Sequence, residues 1–127
     1  MGYPTEYRYS KDHEWVKIDG SRATIGITSF AQEELGDIVF VELPAVGTDV
    51  AQGDNVGAVE SVKAVGDIIA PVSGKVAEVN QALESAPETI NGSPHDDGWI
   101  LVLEMSDPAQ VDGLLDAAAY EQHIGEG

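Results

Sequence analysis

Val56-Gly57-Ala58-Val59-Glu60-Ser61-Val62-Lys63-Ala64-Val65-Gly66-Asp67-Ile68-Ile69-Ala70 is the stretch on which the fold turns. Val56 to Val62 and Ala64 to Ala70 each have the length and apolar content of a strand, and they meet at Lys63. Two such runs with so short a joint predict a hairpin carrying Lys63 at its tip. The chain has only four lysines, Lys11, Lys17, Lys63 and Lys75. A surface lysine is ordinarily a solvated charge. Lys63 differs in its setting, which presents the amine clear of the core and within reach of another protein.

The rest of the chain supplies more short strands. His13 to Asp19 alternates around Trp15, Val16 and Ile18, Gly20-Ser21 turns, and Arg22 to Ile27 returns, so a second hairpin is expected. Ser29 is placed to cap a short helix, with Gln32 as the return half of a capping box, Phe30, Ala31 and Leu35 as its apolar side and Gly36 as its stop. Ile38 to Leu43 is a dense apolar run closed by Pro44 and predicts a buried strand. Lys75 to Asn80 and Trp99 to Glu104 read as further strands. Asp107-Pro108 is a helix start, and Val111, Leu114, Leu115 and Ala118 recur at helical spacing toward Gly125, which predicts one C-terminal helix packed on the sheets. The 127 residues fit a single domain.

Charge and composition remove several classes of function. Six basic residues against 23 acidic ones give a formal charge of −17. Nucleic acid and anionic membranes are excluded as partners, because both are held by Lys and Arg. Acidity of this size keeps a protein dispersed and steers it toward basic docking surfaces. With no cysteine, disulfides, thiolate metal sites and a cysteine nucleophile are absent, and any sulfur chemistry must come from a cofactor. No apolar run approaches the roughly 18 residues of a membrane span. The N-terminus has neither the apolar core of a signal peptide nor the character of a transit peptide, so a cytoplasmic location is expected.

No self-sufficient catalytic constellation is legible. His13, His95 and His123 are far apart and in no metal-ligand spacing, so no metal is expected. Neither a dinucleotide-binding glycine fingerprint nor a phosphate-binding loop is present. Nothing here reads as the active site of an enzyme.

Val59-Glu60-Ser61-Val62-Lys63-Ala64 with Asp67 downstream resembles the lipoylation motif of glycine cleavage H proteins. The likeness continues in order through Tyr9-Ser10, His13-Glu14-Trp15, Gly26-Ile27-Thr28, Ala31-Gln32, Leu35-Gly36-Asp37 and Val39-Phe40-Val41-Glu42-Leu43-Pro44. Ala70-Pro71-Val72-Ser73-Gly74, Glu78-Val79-Asn80, Asn91, Ser93-Pro94 and Gly98-Trp99 follow. It spans roughly residues 7 to 120. One tripeptide would mean nothing; the ordered set is specific.

The resemblance implies a mainly β barrel-sandwich hybrid of two small antiparallel sheets, with a short internal helix and a C-terminal helix. It implies lipoate as cofactor, joined as an amide to Lys63 by a separate lipoate-attaching enzyme. It further implies a shuttle: the arm takes an aminomethyl group from glycine at a pyridoxal-phosphate decarboxylase. The arm then delivers it to a tetrahydrofolate-dependent aminomethyltransferase and is reoxidised by dihydrolipoamide dehydrogenase. Tethering raises the cofactor's effective concentration at each partner, and the hard chemistry stays on the cofactor.

The same resemblance assigns Glu14 and Asp67 to the cleft that shelters the aminomethyl amine, with residues 10 to 13 nearby; charge-assisted hydrogen bonds would hold the cation there. It assigns Glu60, Ser61, Val62 and Ala64 to recognition of the lysine by the attaching enzyme. Trp15 and Trp99 are expected in the core or cleft wall, and His13 in a structural hydrogen bond. Four positions depart from the family's habit. Val65-Gly66 replaces small polar residues and is expected to loosen the hairpin, His95 stands where Tyr is common, and Val102 where Lys is common. Three other carriers remain in view. A biotin carrier would flank its lysine with methionines, which Val62 and Ala64 are not. A lipoyl domain of a 2-oxoacid dehydrogenase would bring an Ala/Pro-rich linker. A relay that donates lipoate to other proteins would use the same lysine.

Overall fold

The Gly20-Ser21 hairpin forms as read. In the computed structural model, which describes residues 3–125, β2 (Glu14–Asp19) pairs antiparallel with β3 (Arg22–Ile27), and Asp19 lies opposite Arg22. Gly20 turns the chain at φ 65°, a conformation that costs glycine nothing. Around this hairpin the first sheet assembles from β1 (Arg8–Tyr9), β5 (Asp49–Val50), β8 (Gly74–Val79) and β9 (Leu101–Met105), in the order β1-β2-β3-β9-β8-β5. A second sheet has β6 (Asn55–Ser61) between β4 (Ile38–Glu42) and β7 (Val65–Ile69). Every pairing is antiparallel.

The two sheets close on one core. Val16, Ile25, Val76, Leu101 and Leu103 from the first meet Ile38, Val41, Val59 and Ile68 from the second, all buried. Burial of such side chains contributes about 1.5–3 kcal/mol each, which is what holds so aromatic-poor a fold together. A second, aromatic cluster of Tyr3, Tyr9, Trp15, Ala117 and Tyr120 joins the termini.

Three details differ from the sequence expectation. Helix α1 (Ser29–Leu35) is capped by Thr28, not Ser29: Thr28 is extended, and its Oγ1 accepts from the Ala31 N–H at 3.2 Å. Gln32 makes no capping-box return, because its Oε1 accepts from Asn91 instead. Strand β4 is only half buried, with Val39 and Phe40 53% and 50% exposed. A bulge between Ile38 and Phe40 and a core on one face only explain this.

The expected single C-terminal helix is two pieces, a 3-10 turn Pro108–Gly113 and a helix Ala117–His123 capped by Asp116. Between them Leu115 exchanges two backbone hydrogen bonds with Tyr9 at 2.8 Å each. That tertiary pairing forces an extended backbone where the helical spacing had suggested continuity. Ala118 consequently faces solvent, while Ala117 and Tyr120 are buried.

Numbered in chain order, two four-residue helices not anticipated from sequence, α2 (Ala82–Ser85) and α3 (Thr89–Gly92), precede the C-terminal helix, which is α4. No described helix is long and apolar enough to cross a membrane.

Candidate functional site

Ser61 ends β6 and ties the turn that follows it. Its N–H donates to Ala64 O at 2.8 Å, and its hydroxyl donates to the same carbonyl at 3.1 Å. The hydroxyl also accepts from the N–H groups of Lys63 and Ala64 at 3.3 and 3.0 Å. One donor and two lone pairs are thus all used within four residues. Val62 N–H reaches Asp37 O at 3.1 Å, which anchors the turn to the loop between α1 and β4. Lys63 sits on this tip, exposed, between Val62 and Val65, themselves 77% and 63% exposed. The ion pairs among the described residues, Arg22 with Glu78 and Glu104 and Lys75 with Asp49, leave Lys63 out. The hairpin is not loosened by Val65-Gly66: both residues are in register, opposite Glu60 and Val59. Leu35 packs over Gly66 at ordinary contact distance, its methyls 3.5 Å from where a Cβ would lie.

Beside the tip lies a cleft of about 290 Å³. Phe30, Ala31 and Leu35 of α1 form one side, Gly66 and Asp67 of β7 another, with Ile27, Val59 and His13 also lining it. Its walls are mostly apolar, and Asp12, Glu34 and Asp67 supply carboxylates. The Lys63 stem runs past Gly36, next in the chain to Leu35 of the cleft wall; a Cβ on Gly36 would lie 3.4 Å from the lysine Cε. Asp67 is one of the residues lining this cleft.

Glu14 is placed differently from a surface carboxylate. It is 1% exposed and is not among the residues lining the cleft. Ser10 Oγ donates to its Oε1 at 2.6 Å and Ile69 N–H to its Oε2 at 3.0 Å. Burial pushes its carboxyl up to about 7, against the lowering effect of those two hydrogen bonds. Ser10 and Ile69 line a second hollow of about 210 Å³, and Asp12 lines both. Glu60 is half-buried on β6, opposite Phe40 and Val65. Val62 and Ala64 are exposed on either side of the lysine.

Sequence reasoning missed how the cleft wall is held. His13, at φ 72°, has its Nδ1 2.9 Å from Tyr120 Oη, which lies 2.7 Å from the Thr28 hydroxyl that caps α1. Its expected structural hydrogen bond is thus present. His95 Nε2 accepts from the Ser29 N–H at 3.0 Å, so this ring must be neutral at that nitrogen, and burial lowers the pKa of both histidines. No sequence signal pointed to these partnerships, because residues 13, 28, 95 and 120 meet only through the tertiary fold. Trp15 is in the aromatic core, with Nε1 donating to Pro94 O at 2.7 Å. Trp99 packs against that same cluster, half-buried.

Two packed antiparallel sheets with an exposed lysine on a hairpin tip beside a mostly apolar cleft have the form of a carrier domain. Residues 7–127 match the family model described as glycine cleavage H-protein. Similar proteins include the glycine cleavage system H protein of Symbiobacterium thermophilum, 56% identical over 98% of this chain and 97% of that one. That of Brevibacillus brevis is 56% identical over 99% and 100%. A crystal structure of a glycine cleavage system H protein from Mycobacterium marinum superposes with a TM-score of 0.89 at 42% identity, covering 97% and 99% of the two chains. The chain belongs to the glycine cleavage H-protein family, whose members are lipoyl carriers.

Proposed function

We propose that Lys63 is the residue that carries lipoate, through an amide to its Nζ, and that the chain works as a carrier without a catalytic centre of its own. The observation that carries this reading is the tied turn, which holds an exposed lysine, outside the ion pairs among the described residues, beside a mostly apolar cleft. The residues fit the group. An aliphatic arm with a small sulfur ring finds apolar walls in Phe30, Ala31 and Leu35, and acidic groups at the rim suit a cationic amine at its end. When bound, lipoate supplies a disulfide able to take up an aminomethyl unit. The chain's part is to present the amine, seat the arm and limit water around its end. Asp67 serves at the cleft itself, and Glu14, with Ser10, at the adjoining 10–13 segment.

The partners in this reading are the pyridoxal-phosphate decarboxylase, the tetrahydrofolate-dependent aminomethyltransferase, dihydrolipoamide dehydrogenase and the lipoate-attaching enzyme, met in the cytoplasm by one domain spanning residues 1–127. Its outermost residues lie outside those the structure describes. Glu60, Val62 and Ala64 offer the attaching enzyme its contacts, since all three flank the amine and remain accessible. Ser61 contributes indirectly, by holding the turn. The net charge of −17 suits partners with basic docking surfaces.

Intact-mass measurement after coexpression with a lipoate ligase tests the assignment. One lipoyl increment on the wild type and none on Lys63→Arg is the expected result. Modification that persists in Lys63→Arg would overturn it.

A further inference from the structure

The loop between α1 and β4 is the surface over which the Lys63 stem passes, and its backbone is held from outside. Gly36 ends α1 at φ 86°, a conformation that side-chain-bearing residues rarely take, and the lysine Cε lies 3.4 Å from where its Cβ would be, so the stem runs in contact with this loop. The next residue, Asp37, receives the Val62 N–H, so the same loop also holds the turn. Gly36 O and Ile38 N–H would have no strand or helix partner of their own. Both are satisfied by a single side-chain amide: Ile38 N–H donates to Asn91 Oδ1 at 2.8 Å, and Asn91 Nδ2 donates to Gly36 O at 2.9 Å. The second hydrogen of that Nδ2 goes to Gln32 Oε1 at 2.8 Å, on α1 itself. Three of the amide's bonding positions are thus spent on one loop and the helix before it.

We propose that Asn91 is a positioning residue for the lipoyl arm: by clamping Gly36 and Ile38 it fixes the platform that directs the Lys63 stem along the Leu35 side of the cleft. The proposal rests on the reading of Lys63 as the attachment point. Asn91 is not among the residues lining the cleft, and its side-chain hydrogen bonds go to Gly36, Ile38 and Gln32; it acts through the loop they hold. A platform free to shift would let the stem adopt many directions, and the arm would spend less time seated. An amide is suited to the task because it donates and accepts from one rigid group, which neither a carboxylate nor a hydroxyl of similar length can do at both ends.

The test uses the full-length lipoylated protein. Asn91→Ala removes the clamp. Asn91→Asp keeps the size and the acceptor for Ile38 N–H but loses both donations, and it decides the matter should the alanine variant not fold. Ile100→Val, a buried core change at a residue that takes no part in the clamp's hydrogen bonds, serves as a control for general destabilisation. The readouts are the lipoyl increment by intact mass and the rate at which neutral dithiothreitol reduces the lipoyl disulfide at fixed pH. Both Asn91 variants are expected to be fully lipoylated yet reduced at least threefold faster than wild type, while Ile100→Val reduces at the wild-type rate. Equal reduction rates in wild type and the folded Asn91 variants would overturn the proposal, as would the same acceleration in Ile100→Val. A wild type that takes no lipoyl group would sink the attachment reading and the proposal with it, whereas a modified chain with unchanged rates sinks the proposal alone.

Discussion

The backbone N–H of Ile69 donates to Glu14 Oε2 at 3.0 Å, joining β2 of the long sheet to β7 of the short one. Glu14 is buried, and burial raises its carboxyl to about 7. A carboxyl with a raised folded pKa binds its proton more tightly in the native state. Its contribution to stability is therefore fully present below the unfolded value near 4.5 and is lost as pH rises through about 7. Neutral His13 and His95 act in the opposite sense. Their lowered pKa values favour the fold above the unfolded value of 6.5 and are lost as pH falls below it.

Glu14→Gln should accordingly flatten the loss of stability between pH 5 and pH 8, by an amount on the order of 2 kcal/mol. The destabilisation on the acid side, which belongs to the histidines, should remain. Urea denaturation at several pH values measures both limbs. Wild type and Glu14→Gln profiles running parallel from pH 5 to pH 8 would show that the buried carboxyl does not titrate in this range.

Glu14→Ala carries a functional expectation. Lipoylation depends on the tip and should be unaffected, because Glu14 makes no contact there. Loss of the aminomethyl group from the loaded arm should quicken several-fold, since the variant takes away a carboxyl and frees Ser10 Oγ and Ile69 N–H. Trapping the released formaldehyde over time gives the rate. An adduct lifetime equal to wild type would mean that Glu14 serves only to join the sheets.

Much of this arrangement is legible in the sequence. The β6–β7 hairpin could be read because Val56 to Ala70 is interrupted by a single cation, and the β2–β3 hairpin because Gly20-Ser21 punctuates an alternating pattern. The C-terminal helix was misjudged because periodicity cannot report that Leu115 is needed as a pairing partner for Tyr9. Glu14 illustrates the same limit at the site: its place in the motif was visible, but its burial depends on Ser10 and Ile69, the latter 55 residues away. Asn91 likewise offered no local signal, since its partners Gln32, Gly36 and Ile38 lie more than 50 residues earlier.

Ser61→Ala should separate folding of the hairpin from presentation of the amine. The substitution removes one donated and two accepted hydrogen bonds in a turn that water can partly resupply, so a stability loss of about 1 kcal/mol is expected. The tip itself should become mobile. With a lipoate ligase at limiting concentration, the modification rate should fall several-fold, and Ser61→Thr, which keeps the hydroxyl, should recover most of it. A Ser61→Ala chain modified as fast as wild type would show that the ligase orders the turn for itself.

Gly26→Ala tests how far the aromatic cluster depends on close approach. Gly26 lies opposite Trp15 in the β2–β3 register, and a Cβ there would fall 2.7 Å from three atoms of the indole. The ring cannot yield easily: it stacks on Tyr7 at 5.0 Å between centroids, and its N–H is committed to Pro94 O. Overpacking against a fixed ring costs about 1–3 kcal/mol, and the upper end is expected here because the Pro94 hydrogen bond strains with it. Displacement of Trp15 would pull on Pro94 and hence on His95, whose ring accepts from the Ser29 N–H at the start of α1. Gly26→Ala should therefore lower the thermal midpoint by several degrees. It should also shift the amide resonances of residues 29 to 31 on the cleft wall while leaving those of residues 61 to 64 in place. Shifts confined to β2 and β3 would show that strain at Trp15 is absorbed locally and does not reach the cleft.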